Sequence, residues 1–230
     1  MKIGIIVAMS VEFAQLAKLM ENPCQEKMGG LEFTVGRIGH HDVVLLQCGI
    51  GKVNAAMGAT LLAQHYAPES IISTGCAGGI DERLSVMDVV VSSRLVYHDV
   101  DCGEALGCQK GQVQGLPLYY TGAPSLVEAA LAIKGSVPIH AGLICTGDQF
   151  ITSHSELAHI KADFPDGLAV DMESAAIAQV CHVLGIPFVS FRIISDTPGA
   201  DGHQQQYENF WHEMADRSFG VTHQFLAQIG

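Results

Sequence analysis

Apolar residues along the chain gather into two kinds of run. Short, nearly unbroken runs at residues 2–9, 70–74, 88–96, 140–146, 168–170 and 188–194 lack the in-and-out alternation of a half-exposed strand. They predict strands buried on both faces. Between them, apolar positions return at helical spacing. One helix opens with Ser10 as N-cap and carries Phe13, Leu16, Leu19 and Met20 roughly on one face, and others are expected at residues 52–66, 153–163, 173–184 and 206–228. Residues 31–38 and 43–48, parted by Gly39-His40-His41-Asp42, read as an antiparallel hairpin. Strands alternating with amphipathic stretches predict an α/β protein with helices on both faces of a mixed sheet. Residues 99–121, rich in glycine and polar groups and weakly periodic, predict a long functional or interface loop. There is no internal repeat.

Length and composition narrow the picture. A chain of 230 residues suffices for one substantial core, so residues 1–230 are expected to form a single domain. With 48% apolar and only 16% charged residues, either the interior is large or a partner covers part of the surface; a homo-oligomer is the economical reading. A formal charge of −12 repels phosphate backbones and anionic lipid, which argues against nucleic acid or a membrane surface as partner and favours a small neutral or zwitterionic ligand. No apolar run approaches the ~18–20 residues needed to span a bilayer. The first nine residues read as a buried strand rather than a signal segment, since Glu12 follows at once without a cleavage site. Seven cysteines, an odd number without a C-x-x-C pair and several inside apolar strands, look like reduced core thiols and point to the cytoplasm.

Ligands of open α/β sheets bind beyond the carboxyl ends of the strands, so residues directly after each apolar run come first. Five places stand out: Met9 to Glu12, Gly49-Ile50-Gly51-Lys52, residues 74–79, Gly147-Asp148-Gln149-Phe150-Ile151 and Ser195-Asp196, joined by Asp171-Met172-Glu173 at a helix start. Glu12 and Glu173 lie in first helical turns, where a carboxylate commonly only complements the helix dipole. Asp196 ends a strand so apolar that its carboxyl should be poorly solvated and its pKa raised, which suits a general acid. The eleven histidines form no H-E-x-x-H, and His40-His41 sits in the expected hairpin turn, so they read as surface residues and no metal is called for. Gly75, Gly78 and Gly79 form neither G-x-G-x-x-G nor a P-loop, which argues against a nicotinamide dehydrogenase or NTPase and leaves tight backbone turning as their role.

In order and spacing, these segments resemble one family. They are Ile3-Gly4-Ile5-Ile6 through Met9 and Glu12, Gly49-Ile50-Gly51-Lys52-Val53-x-Ala55-Ala56, Thr74-Gly75-x-Ala77-Gly78-Gly79, Tyr97-His98-Asp99, Gly147-Asp148-x-Phe150-Ile151, Val170-x-Met172-Glu173 and Ile194-Ser195-Asp196. Together they resemble the 5′-methylthioadenosine/S-adenosylhomocysteine nucleosidases nearly end to end. The resemblance implies a three-layer α/β/α, nucleoside phosphorylase-like fold with a central mixed, mostly parallel sheet, a homodimer, and hydrolysis of adenine nucleosides without metal or cofactor. By motif, Asp196 would protonate adenine N7, Glu12 would take a proton from the attacking water, and Glu173 would bind the ribose hydroxyls and stabilise its oxocarbenium-like charge. Met172 would pack on the ribose, Phe150 would stack on adenine, and the backbone of Ile151 would read its edge. Arg192 would orient the water or a carboxylate. Met9, Ile50 and Tyr207 would wall the 5′-alkylthio pocket, with Cys76, Gly78 and Ser195 completing the site. The implied substrates are 5′-methylthioadenosine, S-adenosylhomocysteine and 5′-deoxyadenosine, a role in methionine salvage.

The chain departs from the family at Cys76, where serine is frequent, and at residues 107–113, which lack the aromatic and proline residues common in a loop expected to reach across a dimer. For His98 and Asp99, shaping a strand end is the favoured role over lining the 5′ pocket. Three rival readings remain: an aminofutalosine-type nucleosidase, a purine nucleoside phosphorylase, and a non-catalytic nucleoside sensor. A phosphorylase must hold phosphate, normally with arginines near the glycine-rich strand end. The five arginines (37, 83, 94, 192 and 217) include none directly abutting residues 75–79, so water is the better nucleophile. Glu12, Glu173 and Asp196 together weigh against a sensor.

Overall fold

The computed structural model describes the chain apart from Ser136, Gly199, Asp201, residues 212–214 and Gly230, and describes residues 215–219 by backbone alone. In chain order its elements begin with β1 (Lys2–Val7), α1 (Ser10–Ala17), β2 (Glu21–Met28), β3 (Leu31–Ile38), β4 (His41–Gln47) and α2 (Lys52–Tyr66). Then come β5 (Ser70–Gly79), β6 (Val89–Tyr97), β7 (Tyr120–Thr121), α3 (Pro124–Leu131), β8 (Ile139–Thr146) and α4 (His154–Asp163). The last are β9 (Gly167–Asp171), α5 (Ser174–Leu184), β10 (Phe188–Asp196), α6 (His203–Asn209) and α7 (Ala215–Gln228).

β1 lies parallel between β4 and β5, and β3 and β2 extend the β4 side antiparallel. Beyond β5 the sheet curls shut. β10 pairs with β5 and β6, β8 with β6 and β9, and β9 returns to β5 at Gly78 and Gly79. Five strands thus form a ring whose closing contact sits at the carboxyl end of β5, where the glycine-rich motif lies.

Unbroken apolar runs arise because both faces of these strands are covered. Ile3, Ile5 and Val7 of β1, Val43 and Leu45 of β4 and Phe191 of β10 point to one face, against Leu16 of α1, Leu126 of α3 and Phe225 of α7. Ile6, Val44 and Leu46 point to the other, against Ala55, Ala59 and Leu62 of α2 and Ala175 and Ala178 of α5. This is the α/β/α sandwich, each fully buried large side chain contributing about 1.5–3 kcal/mol. α2 is alanine-rich because it lies close to the sheet: a Cβ on Gly4 would sit 2.5 Å from Leu62. α4 starts with a capping box, Ser153 Oγ accepting from Glu156 N–H while Glu156 accepts from Ser153 N–H at 3.0 Å.

Several expectations need correction. The N-cap of α1 is Met9, not Ser10, because the Glu12 carboxylate rather than a serine hydroxyl takes the free N–H groups of Ala8 and Met9. β2 carried no apolar signal, since this edge strand is polar and almost wholly exposed. Residues 99–121 hold a short 3₁₀ turn at Glu104–Leu106 and end in β7. The helix expected over 206–228 starts earlier, at His203, and is described over His203–Asn209 and Ala215–Gln228; residues 212–214 of that expectation lie outside the described residues. His41 is buried rather than on the surface: α7 covers the hairpin end, and His41 Nε2 lies 3.1 Å from the Leu226 carbonyl oxygen.

Candidate active site

The ends of β1, β5, β9 and β10 meet at one open cleft. It is lined by Met9, Glu12, Ile50, Cys76, Gly78, Phe150, Ile151, Met172, Glu173, Ser195, Asp196 and Tyr207, together with Gln149 and Pro198, which motif reading did not single out. Of the proposed site residues, only Arg192 stands apart, buried beneath the floor.

Glu12 is placed by the β1–α1 turn. Its Oε2 accepts from Ala8 and Met9 N–H, both at 3.0 Å, and its Oε1 from Cys76 N–H at 3.1 Å, which ties the end of β1 to β5. At 1% exposure, burial pushes its pKa up, against the opposing pull of Arg192 and these three N–H groups. Gly75 makes the arrangement sterically feasible. With φ of +153°, it would put a Cβ 2.5 Å from Glu12 Oε1 and 2.7 Å from Arg192 Nη1.

Glu173 precedes α5, and its Oε1 accepts from Gly51 N–H at 2.9 Å, so the 49–52 turn is clasped to the β9–α5 junction. Below it, Arg192 Nε donates to Asp171 Oδ2 at 2.8 Å and its Nη2 to Ser73 Oγ at 2.9 Å, with Glu173 Oε2 3.7 Å away. Ser174 Oγ joins the cluster, bonded to Asp171 and shared with Ser190 at 2.6 Å. A guanidinium at 1% exposure persists only where carboxylates and hydroxyls replace water. Burial raises the Glu173 pKa; Arg192 opposes the rise and Asp171 adds to it. One buried guanidinium therefore faces Asp171, Glu173 and Glu12.

Asp196 stands across the cleft at 2% exposure. Ser195 Oγ donates to its Oδ1 at 2.5 Å, and His203 Nε2 lies 2.9 Å from its Oδ2. Burial raises the Asp196 pKa, and those two neighbours restrain the rise. His203 gave no signal in sequence, since it sits in a polar, glycine-rich stretch without periodicity; Asp171 was read only as part of a helix start. At the mouth, Ile50 (52% exposed) and Phe150 (55% exposed) face solvent, the Phe150 ring 5.5 Å from that of Tyr207 and 5.8 Å from that of His203. Tyr207 Oη lies 3.9 Å from Met9 Sδ.

The rim loops are tied together behind the cleft. Lys52 Nζ binds Asp99 Oδ2 at 2.6 Å, Asp148 N–H donates to the same oxygen at 2.9 Å, and Lys52 N–H donates to Asp148 Oδ1 at 2.8 Å. Among the described residues, no group of three or more His, Cys, Asp or Glu is arranged to hold a metal ion.

A glycine-rich strand end, a ring of strands and carboxylates on either side of an apolar cleft define the class: the family model for the phosphorylase superfamily matches residues 2–227. The 5′-methylthioadenosine/S-adenosylhomocysteine nucleosidase of Actinobacillus succinogenes is 43% identical, covering 100% of both chains. That of Shewanella halifaxensis is 45% identical over 87% of this chain and 88% of its own. The solved nucleosidase from S. pneumoniae with a transition-state inhibitor superposes with a TM-score of 0.93 at 38% identity, covering 100% of both chains. The Colwellia psychrerythraea enzyme in complex with adenine gives 0.92 at 37% identity, over 100% of this chain and 96% of that one. The chain belongs to the 5′-methylthioadenosine/S-adenosylhomocysteine nucleosidase family.

Proposed function

We propose that the chain hydrolyses the N-glycosidic bond of 5′-methylthioadenosine, S-adenosylhomocysteine and 5′-deoxyadenosine, releasing adenine. The observation that carries this reading is the pair of carboxylate environments on opposite sides of one cleft. Asp196 is buried away from Arg192 with a raised pKa and so suits the general acid at purine N7. Glu12 and Glu173, near Arg192, suit the water-activating base and the anion that meets the positive charge developing on the ribose. Phe150 stacks on the base, Ile151 reads its edge through the backbone, Met172 lies against the ribose, and Met9, Ile50 and Tyr207 surround the 5′ group. Cys76, Gly78 and Ser195 complete the wall, and Arg192 acts from below by orienting carboxylates.

Water rather than phosphate is the nucleophile in this reading. Arg192, the guanidinium nearest the glycine-rich strand end, is already engaged by Asp171, Ser73 and Ser174, leaving it poorly suited to bind a phosphate. The relatives' names and the adenine and inhibitor complexes support the same choice. A homodimer is favoured by exposed apolar side chains, among them Val53 at 79% and Leu106 at 55% exposure. Among the described residues no helix is long and apolar enough to cross a membrane, and all seven cysteines are free; with the bacterial relatives, this supports a cytoplasmic role in methionine salvage.

The deciding experiment measures adenine release from 5′-methylthioadenosine in phosphate-free buffer and again with added phosphate. Equal release with free alkylthioribose is expected. Release only with phosphate, as a sugar 1-phosphate, would make the chain a phosphorylase, and tight binding without release would make it a sensor.

A further inference from the structure

Beneath the cleft floor, at the end of β9, lies a carboxylate that the proposed chemistry does not use. The Asp171 side chain is 1% exposed and takes donors from three elements. Its Oδ1 accepts from Thr146 Oγ1 of β8 at 2.6 Å and from Ser174 N–H of α5 at 3.3 Å, and its Oδ2 from Arg192 Nε of β10 at 2.8 Å and from Ser174 Oγ. The Thr146 hydroxyl itself accepts from Ala175 N–H at 3.0 Å, so its proton is directed at Asp171. Four donors on two oxygens are the partners of an ionised carboxylate. Arg192 is shared unequally between the acids around it. Its hydrogen bonds go to Asp171, Ser73 and Ser174, whereas Glu173 Oε2, 3.7 Å from Nη2, is beyond hydrogen-bond reach. Glu173 is held instead by Gly51 N–H, 2.9 Å from its Oε1. A neutral donor fixes its place without cancelling its charge.

We propose that Asp171 is a positioning residue for the reaction: it binds and neutralises Arg192 from below, so that the Glu173 carboxylate keeps its charge for the cation that develops on the ribose. The proposal rests on the hydrolase reading and deepens it. Removing the Asp171 charge has two effects that pull in opposite directions. Arg192 then holds Glu173 and Glu12 ionised down to lower pH, yet it cancels part of the negative charge that the sugar cation meets. Among the described residues, the other titratable groups facing this cluster are Cys48 after β4, Cys76 of β5, His98 after β6 and Cys145 of β8. Burial pushes the three thiols up and His98 down. The thiols stay protonated through neutrality, which leaves Glu12 and Glu173 as the groups in the field of Arg192 that change charge.

The test is Asp171→Asn, read with two ligands that differ by one charge: an adenine-bearing 5′-methylthio analogue with a pyrrolidinium ring in place of the ribose, and its uncharged cyclopentane counterpart. The preference for the cation, the ratio of the two Kd values, is expected to fall about 10-fold in the variant. In the same variant the acid limb of kcat/KM for 5′-methylthioadenosine is expected to move about one pH unit lower, with the alkaline limb, set by Asp196, in place. The double variant Asp171→Asn/Arg192→Gln removes the pair together and spares the fold an uncompensated buried guanidinium. Losing a neutral pair leaves the field at the ribose unchanged, so the double variant is expected to keep the cation preference within about 3-fold of wild type. It also decides the matter if the single variant does not fold. Equal weakening of both ligands in Asp171→Asn, an acid limb that stays in place, or a double variant without the preference would overturn the assignment. A wild-type protein that releases no adenine would instead overturn the hydrolase reading, while the Kd ratio would still report the charge facing the ring.

Discussion

At the scale of single residues, opposite environments separate carboxylates of the same chemistry. Asp196 has a raised pKa and no guanidinium beside it, so its loss should remove leaving-group protonation. Asp196→Asn is expected to lower kcat on 5′-methylthioadenosine by about 10²–10⁴-fold, with KM changed far less; wild-type turnover would end the general-acid assignment. The same substitution bears on stability. A carboxyl whose pKa is raised on folding contributes most below its unfolded pKa, near 3.8, and loses that contribution as pH rises through the folded value. Asn avoids the buried charge, so the variant should melt about 2–4 °C above wild type at pH 8 for each kcal/mol relieved, the difference shrinking towards pH 4 in calorimetry. Gly75→Ala should drive a methyl into Glu12 and Arg192, costing most of kcat while near-native circular dichroism persists. The apolar strand before Asp196 made its burial legible in sequence. The Cys76 N–H on Glu12 and the histidine beside Asp196 were not, because the first comes from a strand remote in the chain and the second from a stretch without pattern.

At the scale of elements, the strands buried on both faces were legible because every residue in them meets apolar neighbours, as Ile5 and Ile6 do on opposite sides of β1. β2 was not, since Glu21–Met28 is polar, and backbone pairing to β3 alone makes it a strand. The start of α4 follows from local chemistry that the site does not use: Ser153→Ala is expected to lower stability by about 1 kcal/mol, read from urea unfolding, with kcat and KM unchanged.

At the scale of the whole molecule, helices on both faces followed from the alternation of runs, but the ring did not. Closure depends on Gly78 and Gly79 meeting Val170 and Ala169, a pairing between segments about ninety residues apart that no periodicity reports. Surface apolarity bears on assembly. Val53 is so exposed that a charge there should cost the folded subunit little, so Val53→Asp is expected to shift a dimer towards monomer in sedimentation velocity. An unchanged sedimentation profile would place any partner surface elsewhere.

The position of β10 has a consequence for how the protein is made. This strand lies between β5 and β6, pairing with both, yet it emerges from the ribosome roughly a hundred residues after them. Until then β5 and β6 each carry an open edge in a chain already rich in exposed β-branched residues, the condition that favours aggregation. The nascent chain should therefore depend on chaperone cover until residue 196 has cleared the exit tunnel, and the cleft, which needs Glu12 from the first strand's end and Asp196 from the last, can only come into being at that late moment.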